Sequence, residues 1–300
     1  IRLSLVGSEM CIRDRSEKHT YAILAPSFVG QFGPNVSAEQ IREAIKQLGF
    51  DEVIEVGLGA DLTTMNEAHE YLEEVPTGKI PFMGTSCCFS WKMMVRNKFP
   101  EINDYISESS TPMIYTGLQL KKKDPNSEIT FIGPCISKKL EALESEVAEI
   151  IDFVITYEEL LGMFLAKGIE PSEIEIEDKM MDASETGRGY AVSGGVAQAV
   201  VKRAQEIQPG VKVDVENAEG LANCVKLAQL AKLGKMDGKL IEGMACDGGC
   251  VGGPGTVVAD NKTGKAVKAF AKESVFKSPA ENTNIPDQDK PDDQKLKINE

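Results

Sequence analysis

Lys239-Leu240-Ile241-Glu242-Gly243-Met244-Ala245-Cys246-Asp247-Gly248-Gly249-Cys250-Val251-Gly252-Gly253-Pro254-Gly255 is the stretch from which the fold can be read. Its first five residues read as a short strand. Two thiols then stand four positions apart in a run of small residues. Glycines remove side chains, so the backbone can press against something bulky. Their N–H groups can point at sulfur or at anions. So little side-chain volume beside two cysteines points to a buried cofactor. A strand that runs into such a loop suits α/β architecture, where ligands sit beyond the carboxyl ends of parallel strands.

Working outward, the chain alternates strands and helices. A strand starts at Tyr21 and runs into a turn at Ser27. Further strands are expected at 51–56, 79–84, 129–132, 152–156 and 211–215. Helices are expected at 38–48, 61–74, around 111–121, and at 157–167, 196–206 and 219–233. Ser37 with Gln40 forms a capping box for the first of them. Cys87 and Cys88 open a helix through Lys98, which Pro100 ends. This order predicts an α/β fold of two lobes, each a mainly parallel β-sheet flanked by helices. Cys88, Cys135, Cys246 and Cys250 each follow an expected strand closely, so they can meet at the junction of the lobes. Residues 1–15 fit nothing that follows. They resemble translated adapter read-through and are expected to be artefactual or disordered, with the native protein continuing upstream. The folded domain is expected at 16–277. The tail 278–300, rich in Pro, Asp and Lys, is expected to be disordered.

The 300 residues are 42% hydrophobic and 27% charged, enough for a large core. Net charge is −14, which argues against a nucleic-acid partner. The charge-free run 21–36 is broken by Gly, Pro, Asn and Gln, so no membrane span is expected, and no signal peptide is evident. Seven cysteines over this length do not make a disulfide scaffold. They suit a reducing compartment, and the protein is expected to be cytoplasmic. With only His19 and His69 present, metal chemistry must be thiolate chemistry. Thiolates without histidine select zinc or iron–sulfur. Structural zinc favours C-x-x-C knuckles; scattered cysteines ending in C-x-x-x-C favour a cluster. Buried free cysteines are the plain alternative, and Cys224 reads as one of these.

Three stretches also carry a family resemblance. Thr85-Ser86-Cys87-Cys88-Phe89-Ser90-Trp91 resembles the first signature of [FeFe] hydrogenases, TSCCPxW. Pro134-Cys135-Ile136-Ser137-Lys138-Lys139-Leu140-Glu141 resembles the second, PCxxKxxE. The stretch from Glu242 to Gly253 resembles the third, ExMxCxxGCxxGG. They occur in the family's order, and the resemblance covers roughly residues 20 to 275.

The resemblance implies an H-cluster held between the lobes. This is a [4Fe–4S] cubane joined through a cysteine sulfur to a diiron subsite carrying CO, cyanide and a bridging dithiolate. By motif position Cys88, Cys135, Cys246 and Cys250 would ligate the cubane, and Cys250 would bridge. Lys138 would donate a hydrogen bond to one cyanide. Ser27, in Ala25-Pro26-Ser27, would support the other, and Met244 would pack against the subsite. Cys87 would pass protons, with Glu141 next in line, then Ser107, and Glu70 as an outer carboxylate. Glu67, one turn before Glu70, reads equally as a relay group and as a solvated carboxylate.

Phe89 replaces the family's usual proline, Gly133 its usual methionine, and Met113 stands where many members carry a polar residue. The third motif ends Gly252-Gly253-Pro254-Gly255 instead of GGGQP. The implied activity is reversible reduction of protons to H₂. Electrons would come from a ferredoxin or an upstream iron–sulfur domain, and separate maturases would build the diiron unit. Lys121-Lys122-Lys123 and Lys138-Lys139 are the dense basic stretches that could dock an acidic donor. Rival readings are a sensory hydrogenase-like module, an iron–sulfur assembly factor of the same fold, and a thiolate zinc protein.

Overall fold

The computed structural model describes residues 18–176, 178–258, 260–293 and 296. Residues 1–15, expected to be artefactual or disordered, lie outside that set. Two parallel sheets organise the chain. The first contains β1 (Thr20–Leu24), β2 (Glu52–Glu55), β4 (Glu128–Ile132) and β5 (Phe153–Ile155), in the order β2-β1-β4-β5. The second contains β3 (Met83–Gly84), β6 (Asp214–Glu219) and β7 (Lys239–Met244), in the order β3-β7-β6. Every strand pairing within them is parallel. Central β1 is buried at all five positions, as expected of a strand covered on both faces.

The lobes are not the two halves of the sequence. β3, from the first half, pairs with β7, and β5, from the second, pairs with β4. β3 is also shorter than the expected strand 79–84. Gly78 has φ +75°, and Pro81 lacks an N–H, so pairing starts only at Met83. β6 begins three residues later than expected, because its ladder with β7 opens at Asp214.

The helices are α1 (Ala38–Gln47), α2 (Gly57–Glu74), α3 (Phe89–Lys98), α4 (Pro112–Lys123), α5 (Ser137–Glu141), α6 (Tyr157–Lys167), α7 (Glu185–Gly189), α8 (Gly195–Ile207), α9 (Leu221–Lys232) and α10 (Asp260–Lys272). The capping box on α1 forms as read, with Ser37 Oγ accepting from Gln40 N–H at 3.1 Å. One face of the first sheet packs Ala22, Leu24 and Val53 against Ile41, Ile45, Leu160 and Phe164 of α1 and α6. Its other face packs Ile23, Ile129 and Phe131 against Met113 and Leu120 of α4. The second sheet packs Ile241 against Trp91 and Leu227, and Leu240 against Ala68, Tyr71 and Val200. Each buried Val, Leu, Ile, Met or Phe among these contributes about 1.5–3 kcal/mol.

α2 packs on α4 of one lobe and on α8 of the other. It starts four residues before the expected 61, because Gly57 and Gly59 belong to the helix. A Cβ on Gly59 would lie 2.0 Å from the Pro112 carbonyl, so glycine is what lets α2 and α4 cross closely. Fourteen of the eighteen residues of α2 are buried, its polar residues Asp61, Thr63, Thr64 and Glu67 among them.

The tail departs from expectation. Residues 278–293 are ordered along the protein, with Asn282 and Ile285 buried. Asn282 Nδ2 donates to Asp61 Oδ2 at 2.8 Å and to the Asp182 carbonyl at 2.9 Å. Ile285 packs on Leu58, Leu62 and Met65 of α2. Asp293 pairs with His69 and Arg203. Its polar composition suggested disorder because these partners lie far away in sequence.

Candidate metal centre

Both sheets aim their carboxyl ends at one place. Ala25-Pro26-Ser27 follows β1, Cys135 follows β4, Cys87 and Cys88 follow β3, and Cys246 follows β7. There a cavity of about 70 Å³ is lined by Ser27, Cys87, Cys88, Lys138, Met244 and Cys250, among others. A water-sized group needs roughly 10–15 Å³ by this measure, so the space holds several such groups and is no packing defect.

Cys135 and Cys246 do not line this cavity, yet they belong to the same group of thiols. Burial first, then repulsion from Cys135, Cys88 and Cys246, pushes the Cys250 thiol far up. Burial, Cys135 and Cys88 push Cys246 up to about 11. Cys88 is also raised, by burial above all, against backbone N–H groups of Ala245 and Trp91 that reach its sulfur. Thiols whose ionisation is opposed in this way become good neighbours once positive metal takes up their charge. Among the described residues, no three His, Cys, Asp or Glu side chains are close enough together to hold a single metal ion. Thiols near enough to interact, but too spread for one zinc, fit a polynuclear cluster. Cys88 and Cys250 face both the thiol group and the cavity, so the site has two compartments sharing a wall.

The glycines of the third motif serve the protein itself. A Cβ on Gly243 would lie 2.2 Å from the Trp91 ring, and Gly249, at φ +92°, meets Ser193 N at 2.6 Å. The small residues thus seat the loop of Cys246 and Cys250 against the rest of the fold.

Lys138 and Glu141 form a buried ion pair. Burial pulls the Lys138 ammonium down, but Glu141 outweighs it and the net shift is up. The same Nζ lies 3.4 Å from the Cys87 carbonyl. Burial and then Glu67 and Cys88 push Cys87 well above the ordinary thiol range, so it carries its proton. Glu67 is fully buried. Its Oε1 accepts from Ser86 N–H at 2.6 Å, and its Oε2 has no hydrogen-bond partner. Burial raises its carboxyl to about 7. Ser107, itself buried, donates to Glu70 Oε2, and Glu108 N–H donates to Oε1 at 3.2 Å. Burial raises Glu70 as well.

Glu141, expected beside Cys87, is held by Lys138. Glu67, left undecided by the sequence, is the carboxylate next to Cys87, and Ser107 sits on Glu70. Ser27 Oγ lies 2.7 Å from the hydroxyl of Tyr157, a residue sequence reasoning passed over. The basic run Lys121-Lys122-Lys123 is occupied by Asp152, Asp289 and Glu52, and Lys139 by Glu159. Cys224 is fully buried and lies off the cavity, consistent with a core thiol.

Residues 18–254 match the family model described as iron only hydrogenase large subunit, C-terminal domain. The chain belongs to that family. Within it, the chain is 30% identical over 289 residues to iron hydrogenase 1 of Clostridium pasteurianum, covering 80% of this chain and 50% of that one. It is 29% identical over 295 residues to the periplasmic [Fe] hydrogenase large subunit of Nitratidesulfovibrio vulgaris, covering 84% and 70%. It is 25% identical over 285 residues to the cytosolic Fe-S cluster assembly factor narfl of Xenopus tropicalis, covering 76% and 59%. The chain therefore spans about half the length of the first of these relatives. Its fold matches the solved [FeFe]-hydrogenase HydA1 from Chlamydomonas reinhardtii with a TM-score of 0.75 at 22% identity, covering 94% of this chain and 93% of that one. Relative to the family pattern, Gly133 has a local cause. A Cβ there would lie 2.6 Å from the Phe131 ring, which fills the space a larger residue would need. Phe131 and Met113 both line the cavity and make its wall more apolar.

Proposed function

We propose that this iron-only hydrogenase domain catalyses 2H⁺ + 2e⁻ ⇌ H₂ at an H-cluster. Cys88, Cys135, Cys246 and Cys250 would hold the cubane, and the cavity beside Cys250 would take the diiron unit with its CO, cyanide and dithiolate. Met244 and the turn Ala25-Pro26-Ser27 would form part of its wall. When bound, the group supplies a low-valent metal site where protons and electrons combine. The thiol group and the adjoining cavity fit its two parts.

One observation carries the enzymatic reading over cluster binding alone. A protonated thiol, Cys87, fronts the cavity beside Glu67, a wholly buried carboxyl with one oxygen unpartnered and an acidity near neutrality. A carboxyl of that acidity can accept and release a proton at working pH. We assign the path Glu70, Glu67, Cys87 inward, with Ser107 orienting Glu70. Lys138, held ammonium by Glu141, would bind a cyanide. A protein that only stores or hands on a cubane has no use for such a path.

The donor would be a ferredoxin-like protein or an iron–sulfur electron-transfer domain, and the site would be loaded by maturases in the cytoplasm. No helix among the described residues is long and apolar enough to cross a membrane. The paired state of Lys121, Lys122 and Lys123 makes them a poor dock.

The test is H₂ evolution from reduced methyl viologen by the full chain, loaded without oxygen with cubane and diiron unit, beside Cys87→Ala. Activity in the parent and near-loss in the variant supports the proposal. Bound CO and cyanide in the infrared without turnover would point to a sensor. A cubane that never takes up the diiron unit would point to an assembly factor.

A further inference from the structure

Ser27 and Tyr157 are both wholly buried, and Ser27 fronts the cavity. Tyr157 opens α6, directly after the N-cap Thr156. Its hydroxyl reaches beneath the turn after β1. It lies 2.9 Å from the Ala25 carbonyl and 2.7 Å from Ser27 Oγ. Counting protons settles who donates. The carbonyl has none to give. A hydroxyl oxygen held 2.9 Å from a carbonyl oxygen with no proton between them sets lone pair against lone pair. The Tyr157 proton therefore lies on the Ala25 contact. Each hydroxyl has a single proton, so the 2.7 Å contact must be made with the proton of Ser27. Ser27 then shows the cavity only lone pairs.

We infer that Tyr157 is a positioning residue for the cofactor site, which takes the Ser27 hydroxyl proton and leaves that hydroxyl unable to donate a hydrogen bond to a cyanide. A cyanide nitrogen is an acceptor, so lone pairs offer it nothing. Lys138, with its ammonium on the cavity wall, is then the donor that matters. This runs against the support for a second cyanide that the resemblance implied for Ser27. The inference rests on the H-cluster reading.

The test is the infrared spectrum of the full chain loaded with cubane and diiron unit, recorded for the parent, Ser27→Ala, Tyr157→Phe and the double variant. A hydrogen bond to the nitrogen end of a metal-bound cyanide raises its stretching frequency. Ser27→Ala should leave both cyanide bands at the parent positions. Tyr157→Phe frees the Ser27 proton and should move one cyanide band to higher wavenumber, and the double variant should return it. The Ala25 carbonyl keeps the Phe28 N–H at 3.1 Å, so the tyrosine variant retains that anchor. A fall in a cyanide band on Ser27→Ala, or no movement on Tyr157→Phe, overturns the inference. If Tyr157→Phe fails to load, the Ser27→Ala arm decides alone. Parent spectra with no cyanide band would overturn the H-cluster reading itself, and this inference with it.

Discussion

Glu67 holds a proton at a pH where ordinary carboxylates do not, and that has two consequences. First, it can pass protons. Glu67→Gln should lower viologen-linked H₂ evolution about 100-fold or more, the usual weight of a positioned acid–base group, with the CO and cyanide bands unchanged. A loss of the bands together with activity would make Glu67 structural. Second, it makes the fold pH-sensitive. Burial raises its pKa from 4.5 to about 7, so the folded state binds the proton more tightly than the unfolded chain. That contribution is fully present below about pH 4.5 and is lost as pH rises through about 7. In cluster-free protein, Glu67→Gln should therefore melt above the parent at pH 8, by a difference of at most about 3 kcal/mol, and should show no such advantage at pH 4. Equal melting of the two at both pH values would mean that Glu67 is solvated. The sequence displayed this residue only as half of a carboxylate pair one turn apart. Its weight comes from burial on every side of α2, which a weakly amphipathic helix does not reveal.

At the scale of elements, the ligand loops depend on close contacts that side-chain patterns cannot show. Capping, alternation and proline stops disclosed most elements, and the spacing of the cysteines after strands placed them at the carboxyl edges, where the structure has them. What stayed hidden was where one element leans on another. The expected helix began at 61, yet α2 starts at Gly57, and Gly59 lets it cross α4. Gly243 read as room for a cofactor, yet its neighbour is the Trp91 ring. Gly243→Ala should thus push β7 away from α3, destabilise the fold by about 1–3 kcal/mol, and lower iron uptake on reconstitution. Full iron uptake with an unchanged melting temperature would show that the ring can move aside. The buried pair of Arg188 with Glu55 was equally invisible. The guanidinium lies 3.8 Å from the Phe270 ring centroid and bonds Glu55 at 2.6 and 2.7 Å, drawing partners from three separate stretches.

Across the whole molecule, the tail acts as a belt over α2, the helix that carries both Glu67 and Glu70. Asn282 ties it at Asp61, Ile285 presses on the middle of the same helix, and Asp293 ties it at His69. Asn282→Ala leaves Asp61 short of a donor and should cost about 1–3 kcal/mol. Hydrogen exchange should then rise across α2 before it rises in β1. Exchange that rises evenly across the chain, or not at all, would mean that the belt merely rests on the surface. Composition could not show this belt, because its anchors are single polar residues whose partners lie some two hundred positions earlier.

The crossing of the chain between the two sheets also sets an order of events during synthesis. Cys87 and Cys88 follow β3, which soon meets an isolated bridge from Gly84 to Ile106, but its ladder partner β7 is made more than 150 residues later. At about 5–20 residues per second on the ribosome, the first thiols wait roughly ten to thirty seconds without the strand that fixes them. Cys250 arrives last. A cluster that needs all four cysteines could enter only after Cys250 is made, and an oxidant met during that interval would find Cys87 and Cys88 before the β3–β7 ladder has formed.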